Sequence, residues 1–347
     1  LDGLVMSANQ LKISLVQSNS IVGATKFNAE CVLVKANEAE KNGSDLIIFP
    51  EMFLSGYQPL DLVNKRSFLD NVFFQIQNIA KKTRKLNIRI LIGAPWRLDN
   101  KIYNAFISIH KESIKIVSKK SHLPNYDVFD EKRFFVSGNG LDLLDLGNIK
   151  IGFPICEDAW HPDIIGRLKK LGAEIIIIPN GSPYETNKFF DRQEIIKNRC
   201  KESNLPVIYL NLVGGQDDLV FDGGSFILDS NGSPVCQFPQ FVEKTHQVIF
   251  EKTKSVWVPL PILSAKIGSN SCQDYKAIVL GLRDYVLKSN FNKVVIGLSG
   301  GIDSALVAVM AVDALGSDNV VCIALPSKFN STGSLDDANE LSRNLGV

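Results

Sequence analysis

Ile-Gly-Phe-Pro-Ile-Cys-Glu-Asp-Ala-Trp, Ile151 to Trp160, is the stretch from which the rest of the chain can be read. The apolar run Ile149 to Ile155 predicts a buried strand, and Cys156 stands where that strand stops. A polar turn and a helical pattern from about Asp163 to Leu171 follow. A strand-to-helix corner lifts a side chain off the sheet and leaves backbone N–H groups free beside it. A nucleophile needs both, because the oxyanion it generates must be met by donors already in place. A free cysteine is also commonly just a small buried hydrophobe, so this decapeptide leaves both readings open.

Upstream, Leu11 to Gln17 alternates like a strand, and Thr25 is placed to cap a helix reaching about Lys41, closed by Gly43. Leu46 to Phe49 reads as a short buried strand running into Pro50-Glu51-Met52-Phe53. Ser67 to Leu86 has helical periodicity, Ile88 to Gly93 is a strand, and Ile102 to His110 with Ser113 to Ser118 reads as a hairpin. Ser121 to Gly138 is a loop dense in aromatics, Pro and Asp.

Downstream come a strand at Ala173 to Ile178, a helix at Asn187 to Ser203 and a strand at Pro206 to Leu210. Gly214 to Gly224 reads as a Gly/Asp-rich loop. Further strands are expected at Ser225 to Leu228, Pro234 to Phe238 and Thr245 to Phe250. Strands and helices alternate but hairpins interrupt them, so the class is α/β with layered sheets and helices outside. Residues 6–251 form this first domain, and 252–271, carrying Pro259 and Pro261, is the expected linker. Residues 272–347 read as a βαβα run that stops after two units.

Composition sets the bounds. The chain has 347 residues, 45% hydrophobic and 22% charged, with a formal net charge of +1, which suits roughly two globular domains. Near-neutral, interspersed charge offers no electrostatic footprint for nucleic acid or an anionic membrane. The strongly apolar run Ile175 to Ile178 is far too short to span a bilayer. The six cysteines are scattered without a CxxC, which argues for reduced, cytoplasmic thiols. The four histidines show no HxxxH spacing. Met6-Ser7 is the expected native start, with Leu1 to Val5 an expression remnant.

Three segments carry a resemblance. Ile48-Phe49-Pro50-Glu51-Met52-Phe53-Leu54-Ser55-Gly56-Tyr57, Lys119-Lys120-Ser121-His122-Leu123-Pro124-Asn125-Tyr126 and Ile155-Cys156-Glu157-Asp158-Ala159-Trp160 resemble, in order, the three catalytic segments of the nitrilase superfamily, the carbon–nitrogen hydrolases. The chemistry explains why these residue types belong together. A thiol must lose its proton to attack an amide, and the Glu51 carboxylate can take it. The oxyanion then needs a cation and a backbone N–H, from Lys120 and the residue after Cys156. The resemblance implies a four-layer α-β-β-α sandwich, with Glu51, Lys120 and Cys156 catalytic and Glu131 as a second carboxylate supporting the lysine.

A second motif, Leu298-Ser299-Gly300-Gly301-Ile302-Asp303-Ser304, follows an apolar strand and opens a helix. Free N–H groups and glycines there make an anion cradle. No Gly-Lys-Ser/Thr follows, so this is not a Walker A loop. It resembles the pyrophosphate loop of AMP-forming ATP pyrophosphatases, which implies the first part of a Rossmann-like parallel α/β domain. Together the two halves resemble the glutamine-dependent NAD synthetases. Leu123 to Glu131, Asn180 to Tyr184, Gly214 to Ser225 and Leu280 to Tyr285 carry the same likeness.

That resemblance implies the following. Cys156 takes ammonia from glutamine, and the ammonia reaches a second site. There deamido-NAD, adenylated by ATP with magnesium, becomes NAD with release of AMP and pyrophosphate. Tyr126, Glu157, Ser182 and Arg192 would line the glutamine pocket. Ser299, Gly300, Gly301, Asp303 and Ser304 would hold the ATP phosphates, with Asp303 the magnesium contact. A cytoplasmic homo-oligomer is implied as well. Two other classes stay open on the residues alone: a stand-alone amidase acting on another small amide, and a non-catalytic nitrilase-fold oligomerisation scaffold.

Overall fold

The computed structural model describes residues 9–138, 142–262, 264–324 and 332–347. The expected start at Met6-Ser7 lies outside the described residues. The chain divides into two units. One comprises residues up to Val213 together with Phe221–Ile267, and the other Gly214–Val220 with Gly268–Val347.

In chain order the elements begin β1 (Gln10–Gln17), α1 (Thr25–Lys41), β2 (Leu46–Ile48), α2 (Arg66–Thr83), β3 (Arg89–Leu98), β4 (Lys101–His110) and β5 (Ser113–Lys119). Next are β6 (Leu143–Asp145), β7 (Lys150–Gly152), α3 (Pro162–Lys170), β8 (Ile175–Asn180), α4 (Lys188–Ser203) and β9 (Val207–Asn211). Then come β10 (Val213–Gln216), β11 (Leu219–Asp222), β12 (Phe226–Leu228), β13 (Pro234–Gln237), β14 (Lys244–Thr253) and β15 (Val256–Pro259).

Two sheets build the first unit, in the orders β15-β14-β1-β2-β3-β4-β5 and β13-β12-β9-β8-β7-β6. Both are mixed. β1, β2 and β3 are parallel neighbours in one, and β7, β8 and β9 in the other, with antiparallel strands outside. The run of isoleucines in β8 shows why a layered sandwich forms. Ile175 and Ile177 join Leu11, Ile13, Leu15 and Phe106 of the first sheet in one core cluster. Ile176 and Ile178 face the other way, onto Ile164, Ile165 and Leu168 of α3 and Phe189 and Ile196 of α4. A strand apolar on both faces must be covered on both faces. On the far side, α2 packs on β3, β4 and β5 through its buried stripe, which includes Val72, Ile76 and Ile79. The result is the expected α-β-β-α sandwich.

Local departures have local causes. Thr25 does not cap α1 with its side chain; it is the first helical residue. Asn28 ties the helix back instead, accepting from Ile21 N at 3.0 Å and donating to Ile21 O at 2.8 Å. The run expected as one strand to Ile155 is paired only over Lys150–Gly152. Gly214 to Gly224, expected as a loop, contains the hairpin β10-β11, turned at Asp217 with φ +49°. Residues 252–259, expected as irregular linker, are the end of β14 and the edge strand β15. Lys254 and Ser255 turn the chain with φ +49° and +70°. Pro259 is tolerated because β15 has a neighbour on one side only.

The second unit contains α5 (Asn270–Lys288), β16 (Val294–Gly297), α6 (Ile302–Leu315), β17 (Val320–Ile323) and α7 (Thr332–Leu345). β16 and β17 pair in parallel, and Leu298, Ala308 and Ala338 form the buried centre. This is the βαβα run the sequence predicts. The two-stranded parallel sheet places the Ser299 loop between its first strand and α6. No helix among the described residues is long and apolar enough to cross a membrane.

Candidate active site

Strand ends of both sheets converge on one buried carboxylate. Glu51 follows β2 in a turn pressed against β3, held by Phe49 N–H to Leu91 O at 2.9 Å and Leu54 N–H to Gly93 O at 3.1 Å. Only glycine fits at 93, since a Cβ there would lie 2.3 Å from Met52 N and 2.7 Å from Pro50 O. Glu51 is fully buried. Its Oε1 accepts from Lys120 Nζ at 2.8 Å and from Asn104 Nδ2 at 2.7 Å, and its Oε2 accepts from Gly181 N–H at 2.7 Å.

Lys120 stands just past β5, its own N–H donating to Asn104 O at 2.8 Å. Its ammonium, also fully buried, donates to Glu131 Oε1 at 3.0 Å as well as to Glu51. Burial alone would pull the lysine down, but the charges of Glu131 and Glu51 outweigh it and hold it well above its usual range. Lys120 is therefore a permanent cation. Glu131 is pushed up to about 7, by burial first, against the opposing pull of Lys120. Tyr57 donates to the same Oε1 at 3.0 Å. Burial, then the charges of Glu131 and Glu51, raise the phenol well above its ordinary value, so it stays a donor.

Cys156 opens a 3-10 turn, Cys156–Ala159, immediately after the extended segment that ends at Ile155. Its φ is +45°. A non-glycine residue there costs about 1–3 kcal/mol and persists only where the surroundings impose it. Burial, then the field of Glu51, raises the thiol well above its ordinary value, with Lys120 opposing. The resting group is a neutral thiol, so any attack by sulfur needs a base at the moment of reaction. The site therefore holds a buried thiol, a carboxylate and a fixed cation, a set suited to acyl transfer from an amide.

The remaining residues expected around the substrate fall into two pairs. Tyr126 OH donates to Glu157 Oε2 at 2.8 Å, and both line a cavity of about 680 Å³ with Leu123, Pro124, Phe135 and His161. Ser182 Oγ accepts from Arg192 Nε at 3.1 Å. Arg192 is buried and also donates to Asp222 Oδ1 at 2.7 Å, Ser182 O at 3.0 Å and Pro183 O at 2.6 Å. Its guanidinium is thus engaged within the fold, one residue from the Gly181 N–H that meets Glu51. Asn104, Tyr57 and Gly181 were not singled out from the sequence. Gly181 sits at the end of β8, but nothing local marks any of the three as a partner of Glu51 or Glu131.

In the second unit, the loop before α6 closes on itself. Ser304 Oγ accepts from Ser299 N at 3.2 Å and donates to Gly301 O at 2.9 Å, and Gly301 N donates to Ser299 Oγ at 3.3 Å. Gly300 has φ +81°, and a Cβ there would meet Ser334 O at 2.1 Å. Asp303 is exposed in the first turn of α6. No group of three or more His, Cys, Asp or Glu among the described residues could hold a metal ion. The loop fits an anion on a helix start, and a single carboxylate fits magnesium that arrives on phosphate oxygens.

Comparison with known proteins places this geometry. Residues 12–275 match the carbon-nitrogen hydrolase family model, and 274–347 match the NAD synthase model. The chain belongs to the carbon-nitrogen hydrolase family. It is 45% identical over 339 residues to the glutamine-dependent NAD(+) synthetase of Rhodobacter capsulatus, covering 98% of this chain and 61% of that protein. With the Thermotoga maritima synthetase it shares 36% over 370 residues, covering 97% and 64%. The chain thus spans less than two thirds of the curated relatives it matches. Among solved structures, the glutamine-dependent NAD+ synthetase of Acinetobacter baumannii in complex with ADP is 33% identical, with a TM-score of 0.91 over 97% of this chain and 64% of that one. An amidase from Nesterenkonia sp. AN1, 20% identical with a TM-score of 0.61, covers 74% of this chain and 93% of its own, and shares the fold.

Proposed function

We propose that this chain is the glutaminase portion, with the start of the synthetase portion, of a glutamine-dependent NAD+ synthetase. The observation that carries the reading is the Lys120 ammonium held between two buried carboxylates, Glu51 and Glu131, in a chain with a buried thiol after β7. The names of the relatives at 36–45% identity support glutamine as the amide.

The step runs as follows. Glu51 takes the proton of the Cys156 thiol as sulfur attacks the carboxamide carbon. Lys120 and the Glu157 N–H meet the oxyanion. The intermediate collapses, Glu51 passes its proton to the departing nitrogen, and ammonia leaves a thioester. Water, deprotonated by Glu51, then attacks the thioester carbon; glutamate leaves and sulfur regains a proton. Tyr126 and Glu157, the latter next to Cys156 in the chain, line the cavity and would receive the amino-acid end of the substrate. Ser182, with Arg192 hydrogen-bonded behind it at 3.1 Å, would complete the glutamine pocket.

In the second unit Ser299, Gly300, Gly301 and Ser304 would cradle ATP phosphates, with Asp303 contacting the magnesium they carry. Deamido-NAD would take the ammonia and yield NAD, AMP and pyrophosphate. A cytoplasmic homo-oligomer is part of the same proposal. The test of the first half is glutamate release by the wild-type chain and by Cys156→Ala. Turnover of glutamine above asparagine and short aliphatic amides, abolished in the variant, is expected; a variant that keeps full turnover sinks the nucleophile assignment. For the second half, calorimetry should show Asp303→Ala weakening magnesium–ATP binding while leaving metal-free ATP unchanged.

A further inference from the structure

Cys156 and Lys120 stand on separate loops, after strands of different sheets, and something must fix one against the other. The side chain of Asp158 touches both loops. Its Oδ1 accepts from Ser121 N–H at 3.0 Å and His122 N–H at 2.7 Å, the two amides that follow Lys120. Its Oδ2 accepts from Ile155 N–H at 3.1 Å, the amide that precedes Cys156. Asp158 N–H donates in turn to Ile155 O at 3.0 Å. The nucleophile is therefore bracketed on both sides while it holds its φ of +45°. Asp158 is fully buried.

We infer that Asp158 is a positioning residue, a clasp that sets the Lys120 cation against the Cys156 sulfur and holds the strained nucleophile turn. It touches neither substrate nor reacting atoms. A carboxylate is required because all its contacts are with N–H donors: three hydrogen bonds on two oxygens leave no place for a donor. Asparagine keeps the size but turns an NH2 toward either Ile155 N–H or the Ser121 and His122 pair. One side of the clasp then opens. The inference rests on the glutaminase reading for its catalytic meaning, and its geometry stands apart from it.

The test uses the full chain and the variants Asp158→Asn, Lys120→Ala and the double variant. Asp158→Asn is expected to lower kcat for glutamine about a hundredfold, the scale of a ~1 Å misplacement, with KM nearly unchanged. In the Lys120→Ala background the same change should cost clearly less than about a hundredfold, because the part of its effect that runs through Lys120 is already lost. If the two losses multiply, Asp158 is only structural and the inference fails. Hydrogen exchange supplies a readout independent of activity. Segments 118–124 and 153–158 should lose protection together in Asp158→Asn while β8 keeps its own. Loosening of 153–158 alone would overturn the clasp. A wild-type chain that turns over no glutamine would instead remove the glutaminase reading, and the exchange result would decide the clasp by itself. If Asp158→Asn does not fold, Asp158→Glu carries the same comparisons, since it keeps the charge but lengthens the side chain by a methylene.

Discussion

The Lys120 ammonium lies 2.8 Å from Glu51 Oε1 with both side chains fully buried. Such a pair is costly to assemble and costlier to break, because removing one partner leaves an uncompensated charge in the interior. Lys120→Ala should therefore lose about 3–5 kcal/mol of stability. Its catalytic effect is separate: kcat per folded molecule for glutamine should fall on the order of 10²–10³, with little change in KM, since the cation acts on charge that develops in the transition state. Denaturant titration with steady-state kinetics reads both. A change confined to KM would mean that Lys120 merely holds substrate.

Glu51→Gln isolates the base. The amide retains the shape and can still accept from Gly181 N–H or Asn104, but it cannot take a proton. Burial, the largest influence raising the Cys156 thiol, persists when the Glu51 charge is removed, so no thiolate stands ready to substitute. Turnover should fall by about 10²–10⁴. A variant with near wild-type kcat would show that another group deprotonates the thiol.

Glu131 predicts a pH signature. Its carboxyl is raised by burial from an ordinary 4.5 to about 7. Between those values the folded protein binds a proton that the unfolded chain has released. Its contribution to stability is fully present below 4.5 and is lost as pH rises through about 7. Melting curves from pH 4.5 to 8 should show wild type losing ground to Glu131→Gln as pH rises. A pH-independent difference between the two would refute the shift.

Gly93→Ala tests the backbone against which Glu51 is set. The added Cβ would meet Met52 N at 2.3 Å and Pro50 O at 2.7 Å, both main chain, so the Glu51 turn must move. Overpacking of this kind costs about 1–3 kcal/mol. Glutamine turnover should fall more than stability does, as seen by comparing kcat with Tm. Unchanged kcat would mean that the turn can retreat without taking Glu51 along.

Local pattern was enough to read most element types and to point to Glu51, Lys120 and Cys156. Ile149 to Ile155 ending at Cys156, the apolar run into Glu51 and the hairpin into Lys120 are local patterns, and local propensity with burial is enough to read them. The βαβα run with its glycine loop was legible for the same reason. Only the tertiary structure decided which groups complete the site. Asn104 lies within β4 and Gly181 just after β8 of the other sheet, yet both donate to Glu51 because the packed sheets bring them to it. Tyr57 reaches Glu131 across 74 residues. The hairpin within 214–224 and the edge strand 256–259 were missed because a ladder exists only when its partner strand arrives. Arg192, a candidate for the substrate on residue type, spends its donors on Asp222 and two main-chain carbonyls. Hydrogen-bond partners far apart in sequence leave no periodic trace, so a buried charge declares its role only once the sheets have packed.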